Sequence, residues 1–175
     1  MLDSYGLKLR KLTILDEADA LAANQELKSD QFDFLLDPFS TEKPWVQFLV
    51  DLEEESLGEN LQPGRVRALY FVANVNGRIV GRTSIRLDLN DWLFKYGGHI
   101  GYAVRPADRR KGYANLILSQ SLMILKTHGI DRALLTCDDL NLASQRTIEK
   151  NRGVLEDKVE REAGKLTRRY WIDLA

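Results

Sequence analysis

The segment Val104-Arg105-Pro106-Ala107-Asp108-Arg109-Arg110-Lys111-Gly112-Tyr113-Ala114 sets three consecutive cations and a glycine between the end of one apolar run and the first turn of a helical one. Free backbone N–H groups and the positive end of a helix dipole converge at such a junction and suit a pyrophosphate or sulfate. Gly112 has no Cβ, so an anion can approach the main chain there. A solvated basic turn that only caps a helix is the plainer alternative. It has a cost, because cations at a helix N-terminus oppose the dipole. No Gly-x-x-x-x-Gly-Lys-Ser/Thr occurs, and no Gly-x-Gly-x-x-Gly opens a helix here. Nucleotide hydrolysis and dinucleotide binding therefore lose ground.

Other side chains that could do chemistry are few. His99 precedes the same apolar run, and an ordinary imidazole titrates near about 6.5, which suits a base at neutral pH. Its alternative is a histidine whose ring fastens the Gly97-Gly98 bend. Cys137 is the single cysteine. It excludes an intrachain disulfide framework and a cysteine-rich zinc site, and it reads as a small buried hydrophobe. Asn141 and Ser144 read as helix-cap groups, and His128 as a partner of a helix C-terminus.

These residues need elements to hold them. Leu7 to Arg10 alternates as a short strand, and Asp16 caps a helix running to Leu27. Asp37-Pro38-Phe39-Ser40 is a turn, and Pro44 opens a second helix carrying Trp45, Phe48, Leu49 and Leu52 on one stripe. Gly58 to Gly64 is linker-like. Arg67–Val75 and Arg78–Leu89 are strands joined by Asn76-Gly77, a strong hairpin signal. His99–Val104 is a third strand, ended by Pro106. Gly112–His128 is a helix closed by Gly129, Arg132–Cys137 a strand, and Asn141–Asn151 a helix. Gly153–Val159 and Leu166–Leu174 are two more strands. The pattern predicts one α/β domain over residues 1–175, with a mixed, mostly antiparallel sheet flanked by helices and a core from about 7 to 174.

Composition narrows the partners. Among 175 residues, 25 Lys and Arg oppose 26 Asp and Glu, a formal charge of -1. No global field is available to hold a polyanion, so nucleic acid is not an expected partner. A cluster of Arg105, Arg109, Arg110, Lys111, Arg168 and Arg169 is the feature that would argue otherwise. The start of the chain lacks a basic and apolar signal pattern, and no run reaches membrane-spanning length. A cytoplasmic protein without membrane attachment is expected, and exposed strand edges near the C-terminus fit a homodimer.

Arg109-Arg110-Lys111-Gly112-Tyr113-Ala114 resembles the Arg/Gln-x-x-Gly-x-Gly/Ala motif of the GNAT acyltransferase superfamily. The strand before it, the helix after it, the strand to Cys137 and Asn141-x-x-Ser144 opening the next helix follow that superfamily's order over roughly Leu7 to Leu174. Within it, the chain is most similar to an uncharacterised bacterial group of acetyltransferases. The resemblance implies a GNAT-like fold whose strands ending at Val104 and Cys137 splay apart around the pantetheine of acetyl-CoA, with no metal. It puts the thioester carbonyl on the amide of Ala103 or Val104 and the pyrophosphate on the amides of Arg109, Arg110, Lys111, Gly112, Tyr113 and Ala114. Asn141 and Ser144 become cofactor contacts.

The implied reaction is acetyl transfer to a primary amine of an unknown small molecule or peptide by direct attack in a ternary complex. A lysine amine is neutral in only about one molecule in 2,500 at pH 7, whereas an α-amine near pKa 8 is roughly one-tenth neutral. Family members often place a glutamate base on the strand before the cradle; here that stretch offers His99. Many present a tyrosine acid in the Asn-x-x-Ser helix, and here the matching position holds Ile148. Ser144, Cys137, Tyr170 or water could replace it. The missing tyrosine favours the alternative of a non-catalytic acyl-CoA-binding or regulatory module. The acceptor wall would be Asp30 to Leu61, where Phe32, Phe34, Phe39 and Trp45 line a pocket or a helix core. The acidic Asp51 and Glu53 to Glu55 attract an amine or form a solvated face.

Overall fold

The computed structural model describes residues 6–36, 39–162 and 164–174. Its elements are β1 (Lys8–Arg10), α1 (Glu17–Leu27), α2 (Trp45–Leu57), β2 (Ala68–Val75), β3 (Arg78–Arg86), β4 (Ile100–Val104), α3 (Tyr113–Thr127), β5 (Arg132–Asp138), α4 (Leu142–Lys150), β6 (Val154–Glu162) and β7 (Lys165–Asp173). The α/β class with antiparallel strands flanked by helices is the one expected. The single expected sheet is instead divided into a four-stranded sheet in the order β1-β2-β3-β4 and a three-stranded sheet in the order β5-β7-β6. Period-two patterning marks each strand but says nothing about which edges pair, so the division was not legible from it.

Asn76 and Gly77 both take positive φ, 51° and 85°, as the tight β2–β3 hairpin requires. Close to this turn the ladder carries a bulge, where Ala73 faces Gly81 and Asn74 faces Ile79. A Cβ at Gly81 would lie 2.4 Å from the Ala103 carbonyl oxygen, so the close packing of β3 on β4 needs a glycine there.

One face of the first sheet receives α3: Ile85, Ile100, Leu118 and Leu122 form a core continuous with Leu135, Cys137, Ile148 and Tyr170 of the second sheet and α4. The other face receives α1 and α2 through Ala20, Ala23, Phe34, Trp45 and Phe48 packed on Tyr70 and Val72. The apolar stripe of α2 is thus core, and the aromatics Phe34 and Trp45 belong to it. Pro44 sits just before α2, its carbonyl accepting from Gln47 and Phe48.

Asp16 precedes α1, but its carboxylate turns backward. It accepts from the Thr13 N–H at 2.7 Å and from both terminal nitrogens of Arg10 at 2.7 Å. The Asp37-Pro38 half of the expected turn lies outside the described residues. The exposed edge near the C-terminus is β6, which presents Glu156, Asp157, Lys158, Glu160, Arg161 and Glu162. Charges of this density resist the addition of another strand.

Candidate active site

The two sheets meet at His99. Its backbone N–H donates to the Leu134 carbonyl at 2.7 Å, and its ring Nδ1 accepts the Leu134 N–H at 2.9 Å. Gly98 makes the abutment possible, since a Cβ there would lie 2.6 Å from the Leu134 carbonyl oxygen. Beyond this point no ladder joins β4 to β5 among the described residues. The strands part and leave a wedge.

This geometry removes His99 from the base role assigned by sequence. With Nδ1 accepting a main-chain N–H, the neutral ring carries its proton on Nε2 and has no free lone pair to offer. Burial and the neighbouring Arg86 charge also push its pKa below the ordinary value, although the Leu134 contact opposes them. Nothing in the sequence showed that its lone pair is already engaged.

Strand parity selects between the two amides proposed for the thioester. Arg105 N–H donates to the Val80 carbonyl at 2.9 Å and Arg86 N–H to the His99 carbonyl at 2.7 Å, while Arg82 stands opposite Ala103. Alternation then commits the main-chain groups of Gly101 and Ala103 to β3 and turns those of Tyr102 and Val104 toward the wedge. The Ala103 amide is therefore committed to β3, and the Val104 amide is the one turned toward the wedge. The Val104 carbonyl already accepts from Arg109 Nε at 3.2 Å.

At the wedge's C-terminal end the chain bends through Pro106–Asp108 into α3. Arg110 and Gly112 both adopt left-handed φ, 61° and 82°. The N–H groups of Arg110, Lys111, Gly112 and Ala114 have no acceptor among the described residues. A Cβ at Gly112 would meet nothing within 4 Å. The result is an open concavity lined by main-chain donors at a helix N-terminus, which fits a pyrophosphate. The neighbouring side chains are already engaged: Arg109 with Asp30, Lys111 with Asp108, and Arg105 with Asp19 and Glu26. The main-chain amides are left to bind the anion, together with Arg110, which has no carboxylate partner among the described residues.

Ser144 and Asn141 stand at the start of α4, where Asn141 Oδ1 accepts the Ser144 N–H at 3.0 Å as a helix cap. The Ser144 hydroxyl lies 3.2 Å from the Tyr102 hydroxyl, which reaches it from β4. Tyr102 was not singled out from the sequence, where the substitutes weighed for the acid were Ser144, Cys137, Tyr170 and water. Its position two residues before Val104 on the same strand was the available signal. Burial raises its pKa and keeps the phenol protonated. Ile148 is fully buried, so position 148 offers no polar group to the wedge. Cys137 is buried, and burial pushes its thiol up to about 11. Tyr170 is also buried, its hydroxyl 3.3 Å from Glu149.

The acidic run of α2 is answered locally by Lys43–Asp51, Lys11–Glu53 and Arg65–Glu55 pairs. A cavity of about 410 Å³ lies beside it, lined by Asp51, Glu54, Glu59 and Arg65 among others, and none of the cradle residues reaches it. Arg168 and Arg169 pair with Asp139 and Asp157, so the basic cluster noted in the sequence is largely neutralised in place.

An acetyltransferase (GNAT) family model matches residues 24–154, three-quarters of the chain and all of the wedge and cradle. The chain belongs to the GNAT family. Solved structures share its fold at low identity. A GNAT acetyltransferase from Streptococcus pneumoniae superposes with a TM-score of 0.69 at 20% identity, covering 97% of this chain and 99% of that one. The yncA protein of Salmonella typhimurium, solved with its cofactor acetyl-CoA, gives 0.65 at 15% identity over 97% and 95%. Mycobacterium smegmatis RimJ, in complex with CoA-disulfide, gives 0.70 at 19% identity over 95% and 81%. No curated protein matches the chain. GNAT membership supports acetyl-CoA-dependent acyl transfer in general.

Proposed function

We propose that this chain is an N-acetyltransferase that moves the acetyl group of acetyl-CoA to a primary amine in a ternary complex. The observation that carries the reading is the Val104 amide turned toward the wedge, together with the amides of Arg110, Lys111, Gly112 and Ala114, unpaired among the described residues, where the chain enters α3. The residues fit acetyl-CoA, which when bound supplies a thioester-activated acetyl group. Val104 N–H is placed to donate to an acyl oxygen, and a fixed donor of this kind is typically worth about 3 kcal/mol of barrier. The cradle amides hold the diphosphate. Tyr102, hydrogen-bonded to Ser144, holds a proton at its Oη for a departing thiolate. No side chain is assigned as base, so the amine enters neutral and gives its proton to water.

Steady-state release of CoA across a panel of amines tests this. Turnover is expected to rise with pH along the acceptor amine's own titration. The second reading, a non-catalytic acyl-CoA-binding module, is favoured by buried Ile148 and by the locked His99 ring. Tight CoA binding without turnover of any amine would establish it in place of the first.

A further inference from the structure

Arg82 and Arg86 lie four residues apart on β3 and so share a face. It is the face of β4 that carries Gly101 and Ala103, opposite the one packed by α3. Both guanidinium groups bond only carbonyl oxygens: Arg82 those of Gly101 at 3.1 Å and Asp33 at 3.0 Å, and Arg86 those of Gly97 at 3.3 Å and Gly98 at 3.2 Å. Neither is ion-paired among the described residues. Arg82 is 3% exposed, and its Nε is buried without a partner. The carboxylates whose fields reach the pair are Asp33 toward Arg82 and Glu55 toward Arg86, and Glu55 is bonded to Arg65. Burial depresses both guanidinium pKa values to about 10.

A buried cation with a half-buried one beside it, neither ion-paired among the described residues, is costly to keep. The two also converge on one spot. A Cβ built on Gly101 would lie 3.6 Å from Arg86 Nη1 and Nη2 and 3.8 Å from Arg82 Nη1. With no side chain on Gly101, the strand surface beside both guanidinium groups stays open to the approach of an anionic oxygen. Gly101 stands three residues before Val104 on β4, about 10 Å at a strand rise of roughly 3.3 Å per residue.

We infer that Arg82, Arg86 and the space over Gly101 form an anion subsite for the acceptor, so that the substrate is a small amine also bearing a carboxylate or phosphate. The inference rests on the acetyl-transfer reading for the amine, but the anion subsite can be tested without turnover. The Phe32 ring, 4.5 Å from the Arg82 guanidinium centre, helps hold that cation in place.

The full chain, ¹⁵N-labelled and saturated with coenzyme A so that the cradle is filled, is titrated with inorganic phosphate and separately with acetate. The Gly101 amide and the Arg82 and Arg86 Nε–H resonances are expected to follow one saturating isotherm. That response is expected to vanish in Arg86→Gln and in Gly101→Ala, whose methyl fits without a close contact. Resonances that stay still in the wild type, or move equally in Gly101→Ala, overturn the subsite. Initial rates are then compared for β-alanine against β-alaninamide and for phosphoethanolamine against ethanolamine, expressed per neutral amine. The anionic member of at least one pair is expected to show kcat/KM higher by about tenfold or more, mainly through KM, with the gap closing in Gly101→Ala. The responsive pair tells carboxylate from phosphate. Equal rates within both pairs, or neutral peptides as the best acceptors, overturn the substrate class. Anion binding with no amine turned over leaves the subsite standing and overturns acetyl transfer.

Discussion

His99 spends its ring on the Leu134 N–H, and that contact can be measured. His99→Ala leaves the buried N–H without an acceptor, so urea unfolding is expected to show a loss of about 1–3 kcal/mol. Whatever turnover remains should keep its pH profile, because no proton passes through the ring. A lost acid limb in that profile would return His99 to the chemistry. Tyr102→Phe removes the proposed acid while keeping the ring, and kcat is expected to fall about 100-fold with CoA affinity retained. Gly112→Glu puts a carboxylate into the concavity and a side chain at a left-handed φ. Calorimetry should show CoA binding abolished, while circular dichroism shows the fold intact. At this scale the cradle was legible because its chemistry lies in main chain, which the Gly112 pattern announces. His99 and Tyr102 were not, since sequence gives the face a side chain takes but not which lone pair or hydroxyl is already bonded.

The elements themselves followed their patterns closely. The Asn76-Gly77 hairpin, the stripe of α2 and the glycine past α3 all formed where periodicity and turn chemistry required them. The lead-in to α1 differs, because Asp16 serves Thr13 and Arg10 instead of the helix amides. Its hydrogen bonds from Arg10 hold its pKa down to about 2, against 3.8 for an ordinary aspartate. A depressed folded-state pKa means stability that is complete above about pH 4 and lost as pH falls toward 2. Asp16→Asn should therefore lower the melting temperature at neutral pH and flatten the acid limb of stability over that window. In α4, Ile148 is pressed against Gly153, where a Cβ would come within 2.4 Å of its Cγ2. Ile148→Tyr, which restores the family side chain, is expected to cost about 1–3 kcal/mol by overpacking and to gain no turnover.

Across the whole molecule, two antiparallel sheets share a core but are pinned together by main chain at His99 and Leu134. A near-zero net charge and the internal pairing of most surface cations leave the buried Arg82 and the half-buried Arg86 as the conspicuous unbalanced charges among the described residues. The like parity of Arg82 and Arg86 in β3 follows from their spacing in the sequence, but their lack of carboxylate partners required the fold. Gly98 is where the sheets touch, with φ of 63° and Leu134 too close for any side chain. Gly98→Ala is expected to weaken CoA affinity more than it lowers the unfolding midpoint, with both measured on one preparation. The jaws of this protein are hinged on bare backbone. Drift elsewhere in either sheet can therefore remodel what the mouth accepts without changing how wide it stands.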